Sequence, residues 1–85
     1  MRSAVIFLNT INDVKTFVAT VSKYDFPVDL ISGRYSVDAK SIMGIFSLDL
    51  SKPVKLEAQS SSEEELKKFF ADIKPFITEI WNRWI

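Results

Sequence analysis

The chain has 85 residues, 47% of them hydrophobic, and its 11 basic and 11 acidic side chains cancel to a formal charge of zero. That length supports one small domain with a single core, and the balanced charge offers no basic cluster to drive nucleic-acid binding, so nucleic acid is not an expected partner. Histidine and cysteine are absent, which excludes imidazole acid-base and metal chemistry, disulfides and thiolate nucleophiles, and is consistent with a reducing cytosol.

Residues 3–8, Ser-Ala-Val-Ile-Phe-Leu, form a β-prone apolar run that reads as a strand buried on both faces or at a sheet centre. The run is too short for a secretory core, and nothing in the chain approaches the ~20 apolar residues of a membrane span. From Ile11 the apolar residues Ile11, Val14, Phe17, Val18 and Val21 recur at helical spacing. Thr10 or Asn9 is placed to cap that helix, Asp13 favours its first turn, and the period is lost by Phe26-Pro27. Two short strands follow, residues 28–32 and 34–39, joined by a turn at Ser32-Gly33. In the second, Tyr35, Val37 and Ala39 alternate with Arg34, Ser36 and Asp38, predicting one apolar and one polar face.

A short helix is predicted over residues 41–50. Beyond Pro53, the alternation of Val54, Leu56 and Ala58 with Lys55, Glu57 and Gln59 is the clearest strand signal in the chain. Ser60-Ser61-Ser62-Glu63-Glu64-Glu65 offers three overlapping capping boxes for a helix whose stripe is Leu66, Phe69, Phe70 and Ile73. Pro75 kinks that helix or opens a new segment, and the spacing of Ile77, Ile80, Trp81 and Trp84 predicts a helical extension over residues 75–85. The order βαββαβα defines a single α+β domain with a four-stranded antiparallel sheet and three helices on one face.

Residues 39–48, Ala-Lys-Ser-Ile-Met-Gly-Ile-Phe-Ser-Leu, resemble the regulatory-serine segment of the HPr family, the small phosphocarrier proteins of the bacterial sugar phosphotransferase system. Phe17-Val18 also resembles the family and aligns with Ser41 without a gap. The resemblance covers residues 3–74 and implies an open-faced β-sandwich in a bacterial cytoplasm, with residues 75–85 extending beyond a typical member. The family's active-site motif is Gly-Leu-His, then Ala or Thr, then Arg-Pro. Counting back from Phe17 places Thr10 at the histidine, Asn12 at the arginine and Asp13 at the proline, and none matches. Threonine forms a far more stable phosphate ester than the phosphoimidazole a reversible relay needs, and Asp13 would repel it.

The resemblance aligns Ser41 with the serine that a dedicated kinase phosphorylates in many Gram-positive HPr proteins. Its structural role is to cap the following helix, worth about 1 kcal/mol. Ile42, Met43, Ile45, Phe46, Leu48 and Leu50 spread over roughly 220° of that helix, more than one core-facing stripe accepts. With Ile45 and Leu48 inward, Met43, Phe46 and Leu50 gather on the other side with Ile42 between them, and the resemblance puts Ile42, Met43 and Phe46 in the patch through which HPr proteins dock partners. Asp25, Asp29, Asp38 and Asp49 are scattered at strand and loop ends and build no site. The expectation is therefore a non-catalytic domain without cofactor or metal that binds a protein partner, from the phosphotransferase system or related to the HPr kinase. A regulatory phospho-acceptor at Ser41 and a homo-oligomer built on the Trp81 and Trp84 tail are the alternatives. A monomer is the expected state, with those tryptophans completing the domain's own core.

Overall fold

A computed structural model describes residues 2–80. The first strand, β1 (Arg2–Ile6), buries Ala4 and Ile6 on one face while Ser3 and Val5 stay half-buried on the other. It leads through Leu8 into α1 (Ile11–Val21), which buries Val14, Phe17, Val18 and Val21. Ile11, by contrast, is 65% exposed: as the first helical residue it precedes the turn at which the helix meets the sheet, so its match to the apolar period does not bring it into the core.

The hairpin is β2 (Val28–Ser32) and β3 (Tyr35–Asp38). Gly33 supplies the positive φ of +60° that its turn requires. β3 lies at the sheet edge, and this undoes the expected apolar face: Tyr35 is 73% exposed and Val37 half-buried, leaving Ala39 as the only fully buried residue of the three. The short helix α2 (Ile42–Phe46) is followed by β4 (Val54–Ala58), whose alternating burial matches its sequence alternation. α3 (Glu63–Asp72) is capped by Ser62, whose side chain accepts the Glu65 N–H, and buries Leu66 and Phe69. Phe69 stands at the centre of an aromatic group, with ring centroids 5.2 Å from Tyr24, 5.3 Å from Phe26 and 5.3 Å from Phe70.

The main departure from the sequence expectation follows Pro75. A single 3-10 turn (Lys74–Phe76), with Pro75 in its first turn, redirects the chain into a fifth strand, β5 (Ile77–Ile80). The antiparallel sheet therefore has five strands in the order β3-β2-β4-β1-β5, not four. β5 pairs Ile77 with Ile6 and Ile80 with Ala4 across a register shift between Val5 and Ile6. The physical reason is composition: three of its four residues are β-branched, which favours a strand, and the register shift accommodates the three-residue spacing of Ile77 and Ile80, which a regular strand would place on opposite faces. Trp81 and Trp84 lie outside the described residues, so the predicted helical stripe is replaced only as far as Ile80.

Tyr24 ties the end of α1 to α3 by donating its hydroxyl to Asp72 Oδ2. Its phenol is pushed up to about 12, first by burial, then by that hydrogen bond and by the charges of Asp72 and Glu65. A raised acid that is neutral when protonated stabilises the fold fully below its ordinary value of 10.0, and that contribution is lost as pH climbs through 12. Tyr24→Phe should therefore narrow its stability gap to the parent across that interval, as read by urea unfolding at steps of pH. A gap that stays constant from pH 9 to 12 would show that the phenol is not protonated preferentially in the folded state.

Candidate functional site

Two helix entrances and the short helix between them hold the residues singled out from the sequence. At the first, Thr10 has extended backbone geometry and caps α1. Its Oγ1 accepts the Asp13 N–H at 3.0 Å, while Asp13 Oδ2 accepts the N–H groups of Thr10 at 3.2 Å and Asn9 at 3.1 Å. This is a closed, reciprocal capping box. Its carboxylate stands at the helix entrance, and the threonine oxygen already serves the backbone.

At the second entrance, Ser41 caps α2 with its Oγ accepting the Gly44 N–H at 3.1 Å. Gly44 lets the cap sit close: a Cβ there would stand 3.3 Å from Ser41 Oγ, so the cap would have to give by a few tenths of an ångström, and 3.4 Å from the Val37 Cβ. Lys40, the neighbour of Ser41, turns away and donates its ammonium to the Tyr24 carbonyl at 2.6 Å. The Ser41 hydroxyl is thus half-buried and has no lysine base beside it.

The helix expected over residues 41–50 ends at Phe46, and its apolar residues and those of the turn after it divide between core and surface. Ile45 and Leu48 are buried, whereas Met43 is 80%, Phe46 42% and Ile42 37% exposed. Leu50 departs from the expected outer group, because the chain has left the helix by Ser47 and folds Leu50 back against the core. Ile11, beside Thr10, is likewise an exposed apolar residue, one that helical periodicity had assigned to the core. Its position as the first residue after a cap was the available signal. Thr10 and Ser41 are not brought into contact; the register places them toward opposite ends of the sheet, since Thr10 follows Ile6, paired with Val54, and Ser41 follows Asp38, paired with Asp29. Among the described residues no group of three or more acidic side chains is arranged to hold a metal ion, and no helix is long and apolar enough to cross a membrane.

An antiparallel sheet with this strand order, a capped first helix and an exposed short second helix define an α+β domain of phosphocarrier architecture. A family model described as the PTS HPr component phosphorylation site matches residues 12–78, and the chain belongs to the HPr family. Among solved structures it is similar to HPr-C-His from Thermoanaerobacter tengcongensis, at 34% identity over 86% of this chain and 90% of that one, with a TM-score of 0.69. It is likewise similar to the HPr dimer from the same organism, at 34% identity over 80% of this chain and 79% of that one, with a TM-score of 0.59. The phosphocarrier protein HPr from Bacillus anthracis str. Ames, 21% identical over 82% of this chain and 93% of that one with a TM-score of 0.60, shares the fold. No curated protein matches.

Proposed function

We propose that this chain is an HPr-like binding domain that does not carry phosphate on histidine and instead docks a protein partner of the phosphotransferase system through the α1 entrance and α2. What supports this reading is a closed capping box at one helix entrance together with an exposed apolar surface on α2. Thr10 is locked in a capping box with Asp13, while Met43, Phe46 and Ile42 remain exposed on a helix whose one buried residue is Ile45. A thioether and a phenyl ring left in water are suited to an interface, where flexible Met adapts to its partner's shape. The matched family segment begins at Asn12, after Thr10, which fits a chain that diverges at the catalytic position and retains the rest.

Such a domain competes with an active HPr for shared partners. In an assay containing phosphoenolpyruvate, the system's upstream kinase and an active HPr, the chain should take up no acid-labile phosphate and should slow phosphorylation of the active HPr. Met43→Asp, a change at an exposed position, should abolish the inhibition without altering the unfolding midpoint. Stoichiometric acid-labile phosphate on the chain would refute the loss of phosphocarrier chemistry; absence of inhibition, or inhibition unaffected by Met43→Asp, would refute the docking surface.

The second reading, a phospho-acceptor at Ser41, is favoured by one specific feature. Ser41 adjoins the exposed Ile42 and Met43, so a phosphate at that cap would alter the docking surface directly, and the free N–H groups of the first turn tolerate the added charge. In that reading an HPr-kinase-like enzyme is the partner, and the two functions share one face.

A further inference from the structure

Beyond the α1 entrance and α2, the described residues also form a concave feature. A cleft of about 640 Å³ lies between the β2–β3 turn and the segment joining α2 to β4, with Gly33, Arg34, Tyr35, Leu48, Asp49 and Lys52 among its walls. Its size falls within the range of small-ligand sites. Its chemistry is mixed in a particular way. Arg34 makes no ion pair or side-chain hydrogen bond among the described residues, and Lys52 makes none either, although its charge helps Ser51 hold the Asp49 carboxyl below the usual carboxylate range. Asp49 binds Ser51 through Oδ1 alone, accepting both its N–H at 3.1 Å and its hydroxyl at 2.6 Å, so Oδ2 is left to accept from a ligand. Tyr35 exposes 73% of its surface, and no side chain stands within 4 Å of where a Cβ on Gly33 would be, so the approach over the turn is open.

We propose that this cleft binds a mononucleotide: the base on the Tyr35 ring against the apolar wall of Leu48, the ribose hydroxyls on Asp49 Oδ2, and the phosphate between Arg34 and Lys52. Each part of the cleft matches one part of that ligand. An unpaired guanidinium and an ammonium suit a phosphate, the guanidinium through paired N–H donors. An exposed aromatic face accepts a flat base without demanding its identity. A carboxylate that cannot be protonated near neutral pH accepts hydroxyl protons but repels phosphate, which sets the ligand's direction in the cleft. Inorganic phosphate satisfies only the cations and a nucleoside only the ring and carboxylate, so neither substitutes for the whole.

The test is an amide NMR titration of the full chain with adenosine 5′-monophosphate, adenosine and inorganic phosphate in parallel. The monophosphate should give saturable shifts at Gly33, Arg34, Tyr35, Asp49 and Lys52, and should bind at least about tenfold more tightly than either fragment, as expected when charge-assisted contacts add to stacking. The double variant Arg34→Ala, Lys52→Ala should lose that tenfold advantage while binding adenosine as the parent does and keeping the parent's unfolding midpoint. The proposal is overturned by an absence of saturable shifts at these amides, by inorganic phosphate binding as tightly as the nucleotide, or by a double variant that still prefers the nucleotide.

Discussion

Removal of residues 75–85 should lower the unfolding free energy by roughly 2–4 kcal/mol, because Phe76 and Ile77 pack against the core as half-buried side chains and full burial of such groups contributes ~1.5–3 kcal/mol each. The Phe76 ring meets the edge of Phe17 at a centroid distance of 5.7 Å, so the cut strips cover from the most central residue of α1. It also frees the outer edge of β1, which loses the Thr78 hydroxyl donated to the Val5 carbonyl at 3.1 Å and the Phe76 carbonyl that accepts the Phe7 N–H at 2.9 Å. The Val5 carbonyl and the Phe7 N–H become exposed to water, so the loss of their partners adds modestly to the packing loss. Urea unfolding of the two forms measures the difference, and repeating it over a range of protein concentrations asks where the tail acts. A cis role predicts midpoints independent of concentration in both forms. A parent whose stability rises with concentration, giving way to an equally stable truncated monomer, would place the tail between subunits.

Phe69→Ala is expected to be the most damaging single substitution, at about 3–5 kcal/mol. The side chain is fully buried, and it is the common neighbour of Tyr24, Phe26 and Phe70, two of them meeting it at near-perpendicular, edge-to-face angles of 85° and 87°. Deleting it leaves a cavity bounded by rings that cannot all move inward, since Tyr24 is fastened to Asp72 and Phe26 is held next to Pro27. A loss that large approaches the whole stability of a domain this size. Phe69→Leu therefore serves as a second measurement: it keeps most of the volume, and its loss should be clearly smaller but above 1 kcal/mol, the edge-to-face contacts being gone. An alanine variant within ~1 kcal/mol of the parent would mean that the aromatic group is not the centre of the core.

The elements whose reading depended on local chemistry were legible. Ser41 caps the helix expected of it, and Thr10 and Ser62 are the caps among the alternatives that the sequence offered, Thr10 or Asn9 and the three serines 60–62, because a cap is a contact between residues three apart. β4 was legible for a similar reason, its alternation being complete within five residues. The errors arose where a distant partner decides the outcome. Residues 77–80 join a strand more than 70 positions earlier, and nothing within the segment announces that partner. A trace of it stood in β1 all the same: a continuous apolar run suits a strand with neighbours on both sides, whereas a sheet ending at β1 would have left it on the rim. Tyr35 and Ile11 illustrate the converse. Both fit an apolar period, yet one sits in the edge strand and the other at a helix entrance, where period no longer implies cover. Of the candidate site, the helix caps followed from local spacing and the trio Ile42, Met43 and Phe46 from the family resemblance, spacing alone having grouped Leu50 with Met43 and Phe46; the cleft beside Gly33 followed from neither, because its walls come from two segments that only the fold brings together.

The late strand also fixes the directions in which the domain can be tethered. β1 and β5 run antiparallel with Ala4 opposite Ile80, and it is Ile6, opposite Ile77, that leads on toward Thr10. The chain thus enters and leaves the sheet side by side, at the end remote from the α1 entrance. An addition made next to Arg2 or next to Ile80 would therefore start from one of two neighbouring strands at the end of the sheet opposite Thr10. The domain would then present its first helix outward like a plug held by its base.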